Sequence, residues 1–140
     1  MFAPIRAVAV CFPIVVTVLS NGPVQAQTTN EQLQEWCDGR GNVSEDVQII
    51  SCTAIINSGQ YDRWDLHVAY YHRGYSYAQI GRYDLCVADL TQSIRLEPKD
   101  ADAYWLRHLC KKDLGDLAGA EADKKAAKRI DPTIEQQWED

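Results

Sequence analysis

Cysteine and histidine are the side chains here that most readily bind metals, attack electrophiles or exchange electrons, and the chain holds five of one and three of the other. Cys11, Cys37, Cys52, Cys86 and Cys110 are widely spaced. No two form C-x-x-C, the spacing of a redox dithiol or a zinc knuckle. His67, His72 and His108 make neither an i, i+4 pair nor H-E-x-x-H, so no metal site is expected. His72 reads as a surface or groove histidine rather than a ligand. No G-x-S-x-G elbow, Walker loop or dinucleotide fingerprint occurs. The carboxylates stand at helix starts or on helix surfaces. No catalytic residue, cofactor or metal is therefore expected. Asn42-Val43-Ser44 matches a glycosylation acceptor, which matters only in a eukaryotic secretory pathway, and Ser44 already has a helix-capping role.

What the cysteines do depends on compartment, and the first 26 residues bear on that. Arg6 is their one charged residue. The apolar run Ala7–Leu19 follows, then the helix breakers Asn21, Gly22 and Pro23, then an A-x-A-like end at Val24-Gln25-Ala26. This is the pattern of a secretory signal peptide over residues 1–26. The apolar run is about 13 residues, whereas a membrane span needs roughly 20. Cys11 lacks the small residue before it that a lipoprotein signal requires, and it leaves with the peptide. Cleavage after Ala26 leaves residues 27–140 with Cys37, Cys52, Cys86 and Cys110, an even count that favours disulfides in an exported chain. A short signal of this kind points to a bacterial periplasm or to secretion, with no membrane attachment after cleavage.

At 140 residues, 46% hydrophobic and 24% charged, the chain has the length and composition of one folded domain. A net charge of −6 is the wrong sign for a general nucleic-acid binder. The positive charge is also uneven. Arg107, Lys111, Lys112, Lys124, Lys125, Lys128 and Arg129 gather near the C-terminus and leave the N-terminal half acidic.

The elements that carry these residues repeat. Laying His67–Asp100 on Ala101–Ile134, a shift of 34, gives eight identities: Ala69/Ala103, Tyr70/Tyr104, Arg73/Arg107, Gly81/Gly115, Ala88/Ala122, Asp89/Asp123, Arg95/Arg129 and Pro98/Pro132. Unrelated segments would give about two. Each unit reads as two helices. Val68, Tyr71 and Tyr75, with Tyr70 and Tyr77, have helical spacing before Gly81; Leu85, Ala88, Leu90 and Ile94 have it before Pro98. Asp100 and Asp116 are placed to cap the following helices, and no strand signal is present.

The period and the residues Tyr70, Gly74, Tyr77, Gly81, Tyr83, Leu90 and Pro98 resemble the tetratricopeptide repeat, as do Ala103, Tyr104, Gly115, Ala120, Ala127 and Pro132 in the next unit. The resemblance implies an all-α fold of stacked antiparallel helical hairpins forming a short right-handed α-solenoid. About three units are expected, at residues 28–66, 67–100 and 101–134, with a short cap at 132–140. The first unit is divergent. Thr28-Thr29-Asn30-Glu31 reads as a capping box, Ser44 as the cap of a second helix ended by Asn57-Ser58-Gly59, and 60–64 as a long link. In the last unit His108, Lys111 and Lys124 replace Gly74, Tyr77 and Leu90. Together with Lys125, Lys128 and Arg129 they suggest a solvated outer face. Asp131-Pro132 would open a final helix whose Ile134 and Trp138 lie over the end of the stack.

Antiparallel hairpins bring residues equidistant from a turn to the same level. Arg73 and Asp89 are centred on Gly81, and Arg107 and Asp123 on Gly115, so an ion pair is expected across each hairpin. Cys37 and Cys52 are centred on the first loop, and Cys86 and Cys110 on Pro98. Of the three connectivities this selects Cys37–Cys52 and Cys86–Cys110.

In the tetratricopeptide family, first helices line a concave face that holds partner polypeptides. The resemblance therefore implies a non-enzymatic adaptor or scaffold with Val68, Tyr71, His72, Tyr75, Gln79, Asp102, Trp105, Leu109 and Lys112 on that face. The family's clamp for C-terminal carboxylates needs Lys, Arg and Asn, and here Tyr, His and Trp stand instead. A second reading leaves Tyr71, Tyr75 and Trp105 as packing between adjacent helices. A homo-oligomer whose groove is filled by another copy, and a small exported enzyme or thiol-redox protein, are the alternative functions.

Overall fold

The computed structural model describes residues 28–139, so the signal-peptide reading of 1–26 lies outside the described residues. Seven helices follow in order: α1 Asn30–Cys37, α2 Glu45–Ser58, α3 Arg63–Gln79, α4 Tyr83–Leu96, α5 Ala101–Asp113, α6 Leu117–Ile130 and the short α7 Ile134–Gln137. No strand occurs among the described residues. Each helix packs against the next, and α1, α3 and α5 also touch in sequence, which is the pattern of stacked hairpins α1–α2, α3–α4 and α5–α6.

The helix starts are set by side-chain caps. Ser44, Asp62, Asp100 and Asp116 each accept a hydrogen bond from a backbone N–H in the following turn. Two boundaries differ from expectation. Thr29 rather than Thr28 caps α1, through the Gln32 N–H. The link after α2 spans only 60–62, because Asp62 caps a helix that already contains Trp64. Likewise Asp131 folds a turn by accepting from Thr133, and α7 starts at Ile134, two residues later than the Asp-Pro pair suggests. Gly81 and Gly115 sit at φ 73° and 83°, the left-handed conformation that lets each hairpin reverse directly after its first helix.

Three apolar clusters fill the stack. Cys37, Cys52, Ile55 and Ala69 join the first hairpin to α3. Cys86, Leu90, Ile94, Ala103, Leu106 and Cys110 join α4 to α5. Trp105, Ala127 and Ile134 close the C-terminal end. Gly74 permits the close crossing of α3 and α4, since a Cβ there would stand 3.1 Å from Leu90 Cγ.

Both expected disulfides are present, with Cα–Cα distances of 4.8 Å for Cys37–Cys52 and 6.4 Å for Cys86–Cys110. Both ion pairs are present too, and each is part of a larger clamp. Arg73 donates Nε and Nη2 to the Asp89 carboxylate at 2.7 and 2.8 Å, and Nη1 to Thr53 Oγ1 of α2 at 2.9 Å. Arg107 repeats this on Asp123 at 2.8 and 2.7 Å and on Thr91 of α4 at 3.0 Å. Each arginine thus ties its own hairpin together and holds it to the second helix of the preceding one. The fork geometry suits a planar guanidinium and no other side chain.

Candidate partner-binding groove

The face lined by α1, α3 and α5 carries two clefts. The first, about 320 Å³, lies between α1 and α3 and is lined by Gln34, Asp38, Trp64, Asp65, Val68 and neighbours. Trp64 is 61% exposed, an unusual state for an indole on a helix. Asp38 pairs with Arg40, and His72 Nε2 stands 3.9 Å from Asp38. Burial lowers the His72 pKa while Asp38 opposes the change. The second cleft, about 390 Å³, lies between α3 and α5 and includes Tyr75, Gln79, Leu106, Leu109, Asp113 and Trp138.

Not all of the expected groove residues share this exposure. Tyr71 is half-buried against the α4–α5 cluster. Burial, with Asp102 and Asp100 adding to it, pushes its hydroxyl pKa well above the ordinary value. Trp105 is only 5% exposed, so its place as a partner-facing side chain is corrected: it packs on Ala127 and Ile134, with the Lys124 ammonium 5.5 Å from its ring centre. The physical reason is the repeat itself. Tyr71 and Trp105 occupy the same repeat position, which faces the next first helix: α5 for Tyr71, and α7 standing in that role for Trp105. Lys112 is exposed on α5 and lines neither cleft.

The expected solvated outer face is present at Lys125 and Arg129, which are exposed. Lys124 and Lys128 in addition pair with Glu135 of α7, whose carboxyl their hydrogen bonds pull down to about 2. Lys111 reaches Asp123 at 2.8 Å.

Between α3 and α4, Ser93 Oγ, the His67 ring and the Asp100 carboxylate fall in line, at 2.9 Å from Ser93 to Nδ1 and 3.3 Å from Nε2 to Asp100. Those residue types serve nucleophilic hydrolysis elsewhere. Here Ser93 is 0% exposed and Asp100 is engaged in capping α5, so the array joins α3, α4 and the α4–α5 turn and offers no nucleophile to a substrate.

The family model described as tetratricopeptide repeat matches residues 67–100, the α3–α4 hairpin. This chain carries a tetratricopeptide repeat. No curated protein and no solved structure matches the chain. The tetratricopeptide hairpin is a frame for protein–protein contact, and here it has α3, with Trp64, Val68, Tyr71 and Tyr75, at the centre of the two-cleft face. Among the described residues no three His, Cys, Asp or Glu side chains are grouped to hold a metal ion, and no helix is long and apolar enough to cross a membrane.

Sequence reasoning missed Trp64 and the groove position of Trp138. Trp64 aligns with Pro98 under the 34-residue shift, so the repeat pattern assigns it no packing partner. An aromatic residue at an unsupported position was the available signal.

Proposed function

We propose that the chain is an exported adaptor that binds a partner polypeptide along the face of α1, α3 and α5. The contact residues are Val68, His72, Tyr75, Gln79, Asp102 and Leu109 of the expected set, joined by Trp64. Tyr71 contributes its exposed edge, and Lys112 lies at the rim. The observation that carries this reading is Trp64, 61% exposed at the mouth of a cleft on a tetratricopeptide hairpin. Two disulfides in so small a stack support an oxidising compartment, in keeping with a signal peptide at 1–26 and a periplasmic or secreted destination.

The test is affinity capture from the exported fraction with native disulfides kept. Trp64→Ala combined with Tyr75→Ala removes exposed rings and leaves the core untouched. Capture of the wild-type partner should fall at least about tenfold, the scale of a lost aromatic hot spot. Undiminished capture of the same partner by the folded double variant defeats the reading.

A further inference from the structure

The second cleft, about 390 Å³, lies where four elements converge. Tyr75 comes from α3, Tyr83 from α4, Leu109 and Asp113 from α5, and Trp138 from the end cap. Its walls are held in place. The Trp138 indole N–H donates to Asp102 Oδ1 at 2.9 Å, Tyr83 and Trp138 pack on the α4–α5 cluster, and the Cys86–Cys110 bridge ties α4 to α5 in the lining. The rings of this cleft differ from others in the stack. Arg73 lies 5.7 and 5.9 Å from the Tyr70 and Tyr77 ring centres, Arg107 lies 5.6 Å from Tyr104, and Lys124 lies 5.5 Å from Trp105. The chain thus supplies a cation to each of those rings. Among the described residues it supplies none to Tyr75, Tyr83 or Trp138, and no Lys, Arg or His lines the cleft. Asp113, exposed at the edge of the cleft, makes no ion pair among the described residues, since Lys111 beside it is taken by Asp123.

We propose that this cleft is a binding site for a small quaternary ammonium compound. Aromatic rings attract a cation through their quadrupole, and the attraction grows as water is excluded. A quaternary ammonium has no N–H donor and carries its charge under methyl groups, so it loses little hydration on entering among rings. A lysine ammonium brings three donors and a guanidinium five, each in need of an acceptor. The aliphatic part of the lining, Leu106 and Leu109, offers none. The three rings and this apolar floor therefore select the methylated cation, and the unpaired Asp113 carboxylate balances its charge from the edge. The cleft volume falls in the range of small-ligand sites, about 300–1,000 Å³. The site requires no partner polypeptide, although Tyr75 and Leu109 also belong to the proposed partner face.

The probe is choline, titrated at constant ionic strength into the ¹⁵N-labelled chain with disulfides intact and read at the indole N–H signals. Its control is the neutral tert-butyl analogue, in which carbon replaces nitrogen and the shape is kept. Choline should move the Trp138 signal and leave unmoved both buried Trp105 and Trp64, which lines the other cleft. The neutral analogue should bind at least about tenfold more weakly, the scale of a desolvated cation–π contact. Tyr75→Leu keeps an apolar side chain at a partly exposed position and should weaken choline about tenfold; an unchanged Trp105 signal shows that the variant is folded. Asp113→Asn should weaken choline about two- to fivefold, with the larger loss at low salt. Equal Kd for choline and its neutral analogue overturns the proposal, as does an unchanged choline Kd in Tyr75→Leu. A Trp138 signal that stays fixed throughout the titration overturns it too. So does an N-acetyl-lysine amide that binds as tightly as choline, which would place a partner's lysine in the cleft. Failure of choline to bind leaves partner capture by the face standing, and undiminished capture by the Trp64/Tyr75 variant leaves the choline site standing.

Discussion

The two repeats at 67–100 and 101–134 use the same parts in different settings. Both carry an arginine fork on a buried aspartate, both reach back to a threonine of the preceding hairpin, and both place an aromatic ring, Tyr71 or Trp105, toward the next first helix. The inner repeat has another full hairpin on that side. The last one has only the four-residue α7, and compensates with charge. Where Tyr77 lies near Arg73, Lys111 joins Asp123, and where Leu90 fills the core, Lys124 spans Trp105 and Glu135. The difference teaches that repeat position decides packing direction, while the neighbour decides whether a side chain ends in a core, a cap or an open groove. The first cleft has the exposed Trp64 at its mouth, and Trp138 forms one wall of the second.

The largest effect should come from the clamps. Asp89→Ala and Asp123→Ala each leave a half-buried guanidinium without its counter-ion, at about 3–5 kcal/mol. Asp123→Ala should be the worse, since it strands Lys111 as well as Arg107, and urea denaturation at constant m checks the order. A smaller loss at 123 would mean that the last repeat relaxes around its cations. Burial opposes the charge on Asp123, but hydrogen bonds from Arg107 and Lys111 outweigh it and hold the carboxyl below its usual range. Its contribution is therefore complete above about pH 4 and is lost as pH falls through the folded value.

Next come the disulfides. Replacing either cysteine pair by serine should cost about 2–4 kcal/mol. Loss of Cys86–Cys110 should also weaken the junction between the two repeats, visible as faster amide exchange in α5 than in α3. Equal exchange in both helices would show that the α4–α5 cluster suffices without the bridge.

Gly74→Ala should cost about 1–3 kcal/mol, because its Cβ meets Leu90 in a packed core. The matched position tolerates a histidine, since His108 meets α6 where Lys124 has replaced that leucine and takes the Ala120 carbonyl at 3.0 Å. His108→Ala should accordingly cost only about 0.5–1.5 kcal/mol. A larger loss at 108 than at 74 would reverse the comparison.

The smallest effect concerns the end cap beside the second cleft. The Lys124 and Lys128 contacts lower the Glu135 pKa to about 2, so its hold on α7 is full above its ordinary carboxylate value and fades as pH falls toward 2. Indole signals of Trp105 and Trp138 should change together over that acid range while Trp64 does not. High salt should act in the same direction, because these ion pairs are solvent-facing. Loss of the Trp64 signal in step with the others would place the change in the whole stack instead of in its cap.

Much of the frame was legible in the residues. Period, hairpins, caps at Ser44, Asp100 and Asp116, the Arg–Asp pairs and both cysteine pairs follow from chain distance to a turn, a quantity a helix converts into height without knowledge of its neighbours. The threonine arms of the clamps, the His67–Ser93–Asp100 array and the burial of Trp105 were not legible. The threonine arms depend on the angle at which a second hairpin arrives, the His67 array on how α3 meets α4 and the turn after it, and the burial of Trp105 on where α7 lands.

By itself the sequence determined which residues lie level with one another, because the 34-residue period and the glycine turns set axial position. Only the tertiary structure decided which aromatic rings are open. Trp64, Tyr75, Trp105 and Trp138 all have helical or near-helical placement, yet their exposure is set across interfaces: Trp64 has only the tilted His67 ring beside it among the described residues, α7 covers Trp105, and the indole of Trp138 settles on Asp102. Helical periodicity states which face a side chain is on. The packing partner states whether that face is a core or a surface.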